Sequence, residues 1–173
     1  LGPPGSNSAV LVQRLMETYG VFDPANAQFL SYTEGTAALM NGQVDATVVL
    51  AGAPTAALID LGAQRDMVLL SIDAETVAPM LAEYPFYQTY EMPAGTYDGQ
   101  DEPVMVINDP ATIFTSQFAT DDQVYAITKA LFDNLDELAQ VHPEAAKIQV
   151  ETAVNTPIGL HQGAQLYFDE QAQ

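Results

Sequence analysis

Two near-continuous apolar runs of strand length, Val44–Leu50 (VDATVVL) and Met67–Ile72 (MVLLSI), stand between stretches of helical periodicity. Runs of this kind belong to strands covered on both faces. Alternating them with short helices confines the chain to right-handed crossovers and a parallel sheet. A third short strand is expected over Ala27–Thr33, followed by a helix over Glu34–Met40 that Asn41-Gly42 closes. The expected fold class is therefore α/β, a mostly parallel sheet with helices on both faces, and in such sheets ligands sit beyond the carboxyl ends of the strands.

That location directs attention to two turns. Gly2-Pro3-Pro4-Gly5-Ser6-Asn7-Ser8 leads into a helical pattern with Val12, Leu15, Met16 and Tyr19 on one face, ended by Gly20. Ala51-Gly52-Ala53-Pro54-Thr55 repeats the arrangement before the next helix, with Pro54 expected at its first position, where a missing N–H costs nothing. A Gly-rich turn that opens a helix aims unpaired N–H groups at an anion. The candidate ligand-binding residues are accordingly Gly5, Ser6, Asn7, Ser8, Ala51, Gly52, Ala53 and Pro54. Two helix N-termini at one place, each with about half a positive charge, suit a carboxylate. Neither turn is a Walker loop or a GxGxxG dinucleotide loop, and Ser6 with Asn7 and Ser8 also reads as an ordinary helix cap.

Further along, Asp73 is placed to cap a helix over Ala74–Glu83, and Tyr84-Pro85-Phe86-Tyr87 leads into a strand-like Gln88–Glu91 and a loop rich in Pro and Gly. These tyrosines read as packing, and Asp98, Asp101 and Glu102 as a solvated loop without the calcium-loop pattern. Thr120 and Gln123 form a capping box that opens the longest helix, with Val124, Ile127, Leu131, Leu135 and Leu138 on one face and Pro143 as its stop. A short helix over His161–Glu170 closes the chain.

Charge decides which partners remain. With 23 acidic and 4 basic residues the net charge is −19, which repels nucleic acid and anionic lipid. The same excess suits a protein kept soluble in high salt, where self-repulsion is screened. No cysteine is present, so no disulfide or thiol chemistry is available. His142 and His161 lie at helix ends, where His142 is expected to cap carbonyls; no nucleophile and base, metal set or cofactor loop stands out.

Taken together, GPPGSNSAVLVQRLMETYG, SYTEGTAALMNGQVDA, AGAPTAAL, the YPFY tyrosines, PAGTYDGQ, ITKALFDNLDELAQVHPEA and PIGLHQGAQLYF resemble, in order, the TAXI family of TRAP-transporter solute-binding subunits. The resemblance implies a type II periplasmic-binding-protein lobe with long C-terminal helices. It further implies a periplasmic location, a solute such as glutamate, glutamine or 2-oxoglutarate, an ion-driven membrane permease as partner, and no cofactor. It divides the chain into a ligand-binding lobe over residues 1–103 with its first strand trimmed, a connecting segment over 104–119 and a C-terminal helical segment over 120–173. An N-terminal lobe of the same protein is expected as the missing partner. Asn7 and Ser8 stand where the family has a Gly-Thr pair, which leaves the solute itself open. Two other readings remain at this point: a periplasmic sensory module on the same fold, or a small α/β hydrolytic enzyme, although Ser6 and Ser8 lie in no GxSxG elbow.

Overall fold

The computed structural model describes residues 1–172, so Gln173, the last residue of the expected C-terminal segment, lies outside it. The chain divides into two compact units, Leu1–Pro110 and Ala111–Gln173.

In the first unit, α1 (Asn7–Thr18), α2 (Tyr32–Met40), α3 (Ala56–Gly62) and α4 (Ala74–Glu83) are followed by β1 (Gln88–Met92) and β2 (Val104–Asn108). The start of each longer helix is written locally. Ser6 accepts from the Ala9 N–H and Asp73 from the Thr76 N–H, while Ser31 and Glu34 form a reciprocal capping box. β1 and β2 pair antiparallel, with Gln88 opposite Asn108 and Met92 opposite Val104. The core joins α1, α4 and the loop before β1 through Leu11, Met80 and Tyr87, with Leu15, Leu50, Leu81, Tyr84 and Ile107 packed against it.

The expected parallel sheet is not formed: among the described residues, the only sheet is the two-stranded antiparallel pair, and helices dominate. The apolar runs form no strand and carry no ladder. Among the described residues, 67–72 hydrogen-bond to β2 only at their end, where the Ile72 N–H donates to the Met105 carbonyl at 2.9 Å and the Met105 N–H to Ser71 Oγ at 3.1 Å. Val68 is 82% and Leu70 75% exposed, while Met67 and Leu69 are half-buried. An apolar run becomes a buried strand only where a neighbour supplies hydrogen bonds and both faces are covered, and neither condition is visible in periodicity. Residues 46–50 instead run past α2, where a Cβ on Gly35 would meet the Thr47 side chain. The strand expected over Ala27–Thr33 is not formed: residues 27–31 carry no regular structure, and Tyr32 and Thr33 already belong to α2, which the Ser31-x-x-Glu34 signature starts.

The second unit holds α5 (Asp121–Asp133), α6 (Leu135–Val141), a 3-10 turn (Pro143–Lys147), α7 (Val150–Ala153) and α8 (Gln162–Gln171). The Thr120–Gln123 capping box forms as expected. The single long helix does not, because it breaks at Asn134, whose side-chain amide donates to the Ala130 carbonyl at 2.6 Å and so competes with the helical backbone. Of the expected apolar face, Val124 is buried and Leu131, Leu135 and Leu138 are half-buried, while Ile127 is 60% exposed. Phe132 stacks on Tyr167 at 5.5 Å and meets Phe168 edge-on at 5.3 Å, so the aromatic side of α5 faces α8. Each histidine caps N–H groups rather than carbonyls: His142 Nδ1 accepts from the Glu144 N–H at 3.2 Å and His161 Nδ1 from Gly163 at 3.1 Å.

Candidate functional site

The Gly2–Ser8 turn is tightly closed. Gly2 has φ +88°, and a Cβ there would strike Ser8, which is 2% exposed. The Ser6 hydroxyl donates to the Pro3 carbonyl at 2.6 Å and lies 2.9 Å from the Ser8 hydroxyl. Because the single Ser6 proton is spent on Pro3, Ser8 is the donor in that second bond. Ser6 Oγ also accepts from Ala9 N at 3.3 Å. Both hydroxyls therefore serve the turn and the helix cap instead of facing a ligand as free donors.

Two backbone donors are left at this end of α1. Ser6 is the N-cap, so the N–H groups of Asn7 and Ser8 precede any intrahelical acceptor, and among the described residues nothing accepts from them. Asn7 is exposed, and its side-chain amide donates to the Asp109 carboxylate from just beyond β2. Partial burial pushes the Asp109 carboxyl above its ordinary range, and the Asn7 hydrogen bond works in the opposite direction. A carboxylate of the chain itself thus already sits beside the N-terminus of α1, where the helix dipole favours negative charge.

The second turn has a different character. Ala51 and Gly52 are exposed, Ala53 is half-buried, and a cis peptide links Ala53 to the exposed Pro54. Pro54 is not at the first position of α3 but one residue ahead of the N-cap, Thr55. The Thr55 N–H donates to the Tyr97 hydroxyl at 3.1 Å, and the Tyr32 hydroxyl to the Leu50 carbonyl at 2.8 Å. Pro54 borders a hollow of about 280 Å³ between α3 and the loop carrying Thr96, Tyr97 and Asp98. Among the described residues no hydrogen bond joins residues 5–8 to residues 51–54. What links their elements is packing, because Leu11 of α1 and Leu50, just ahead of the second turn, belong to one core.

Sequence reading missed Asp109 and Tyr97 as partners of the two turns. The Asn7–Asp109 pair spans 102 positions, a separation at which no local signal exists.

Compared with known families, residues 1–172 match the NMT1-like family. The chain belongs to the NMT1-like family. It is a family of solute-binding-type proteins, so the relevant chemistry in this chain is recognition of a small molecule. No helix among the described residues is long and apolar enough to cross a membrane.

Proposed function

We propose that this chain is the extracytoplasmic solute-binding component of a TRAP-type transporter, taking a small carboxylate such as glutamate, glutamine or 2-oxoglutarate and passing it to an ion-driven membrane permease. The observation that carries this reading is the NMT1-like match over residues 1–172. The N-terminus of α1 supplies the chemistry. The carboxylate of the solute accepts from the free N–H groups of Asn7 and Ser8 and takes the Asn7 amide from Asp109. Gly5, at φ +72° with open space around it, lets the solute approach the backbone. Ser6 and Ser8 hold the turn in shape, and residues 51–54 border the second wall of the site.

Affinity follows from the donor count. Three neutral donors at about 0.5–1.5 kcal/mol each give roughly 1.5–4.5 kcal/mol, which corresponds to millimolar binding at best. Among the described residues neither arginine of the first unit hydrogen-bonds to this turn: Arg14 lies about 10 Å further along α1 and donates to Tyr87 instead, and no side-chain bond joins Arg65 to residues 5–8. A bidentate cation, and with it micromolar affinity, is the contribution of a partner domain across the site.

The test is an amide-resolved NMR titration of the chain with 2-oxoglutarate. The Asn7 and Ser8 N–H signals should move with a millimolar midpoint, and Asp109→Asn should tighten binding several-fold by removing the competing charge. Saturable binding that leaves both amides unmoved, or micromolar affinity for this chain alone, rejects the assignment.

A further inference from the structure

The guanidinium of Arg14 is held in an aromatic cradle away from the turn just described. Its Cζ lies 3.8 Å from the centroid of the Tyr84 ring and 5.9 Å from that of Tyr87. Nη1 donates to the Tyr87 hydroxyl at 3.1 Å, and Tyr87 is only 2% exposed. Stacking covers one face of the guanidinium and the tyrosine hydroxyl takes one edge. The other edge, Nε and Nη2, has no acceptor among the described residues, and Arg14 makes no ion pair there although the chain carries 23 carboxylate side chains. Two acids of the adjoining turns are engaged elsewhere. Glu17 accepts from Gln13 Nε2 at 2.8 Å, and Glu83 takes the Tyr84 hydroxyl, which pushes the Tyr84 phenol above its usual range.

An arginine fixed by stacking loses little side-chain freedom when its open edge takes a carboxylate in the bidentate fork geometry. The same aromatic cluster includes Phe86, 39% exposed, packed edge-on against Tyr87 at 4.5 Å and 6.1 Å from the Tyr84 ring. We propose that Arg14, Tyr84, Phe86 and Tyr87 form a binding site for a small aromatic carboxylate, the acid on the free guanidinium edge and the ring against Phe86. The net charge of −19 selects against polyanionic macromolecules. A monovalent small molecule meets only charges within about 8 Å at physiological salt. This site stands apart from the α1 N-terminus and does not depend on the transporter reading.

The sequence makes the test direct, because its arginines are Arg14 and Arg65 alone and the second is exposed. Arginine Nε–Hε resonances of the whole chain are followed while benzoate, or uncharged benzamide of the same shape, is added. The Arg14 signal should shift saturably with benzoate and not with benzamide, while Arg65 responds only as to bulk salt. Arg14→Lys, which keeps the charge but neither the fork nor the stack, should weaken binding at least fivefold when followed through the Phe86 and Tyr87 signals. Parallel, non-saturating shifts of both arginines, equal responses to benzoate and benzamide, or undiminished binding by Arg14→Lys would each overturn the proposal.

Discussion

Gly163 offers the sharpest check on the packing of the second unit. It is the second residue of α8, and a Cβ built there would lie 2.8 Å from the Tyr125 nitrogen and 3.0 Å from the Asp121 carbonyl carbon. Both are backbone atoms of α5, so no side chain can swing aside and the two helices must separate. Overpacking of this kind costs about 1–3 kcal/mol, and the better helix propensity of alanine returns at most about 1 kcal/mol. Contacts this short with immovable backbone place the cost at about 2–3 kcal/mol, so the expected net loss for Gly163→Ala is about 1–2 kcal/mol. The stacked rings of Phe132, Tyr167 and Phe168 lie between the same two helices and transmit the displacement. Gly159→Ala is the control, since nothing lies within 4 Å of its added methyl and its φ is not positive. Urea unfolding followed by tyrosine near-ultraviolet dichroism reads the difference. With a slope of about 1–2 kcal/mol per molar, Gly163→Ala should lower the midpoint by roughly 0.5–2 M and Gly159→Ala should leave it unchanged. A Gly163→Ala midpoint equal to or above that of the control refutes the close helix contact.

Thr120→Ala removes the cap that accepts from the Gln123 N–H and should cost about 1 kcal/mol in the same urea assay, with Thr120→Ser close to neutral. The Asp73 carboxyl is held below its usual range by hydrogen bonds from the Thr76 hydroxyl and N–H. A depressed carboxyl adds stability above its unfolded pKa and loses it as pH falls through the folded value. Wild type should therefore lose more stability below about pH 4 than Asp73→Ser, whose cap does not titrate; parallel acid-unfolding curves contradict this. Finally, self-repulsion at a net charge of −19 should be relieved as the screening length falls to about 3 Å near 1 M salt. The melting temperature should rise between dilute buffer and molar sodium chloride, and a flat response removes electrostatic strain as a factor.

The sequence by itself determined the helix starts at Ser6, Asp73 and Thr120, because a cap is a contract between residues two or three apart and needs nothing from the rest of the molecule. It also determined the charge, and with it the exclusion of nucleic acid as a partner. At Ser31 the same kind of signal was present in Ser31-x-x-Glu34, but β-rich composition masked it. Tertiary structure alone decided the rest. Whether Val44–Leu50 and Met67–Ile72 become strands depends on a neighbouring chain segment, and the rings that Phe132 of α5 meets depend on where Phe168 and Tyr167 arrive. The candidate site divides along the same line. The turn at Gly5–Ser8 was legible as a helix N-terminus, whereas the closure of its hydroxyls on Pro3, the carboxylate of Asp109 beside Asn7, and the Tyr84 ring under Arg14 come from residues brought together across the fold. Local preference acts over one turn of helix, but desolvation and charge pairing act between whatever groups packing makes adjacent, and adjacency is a property of the folded chain.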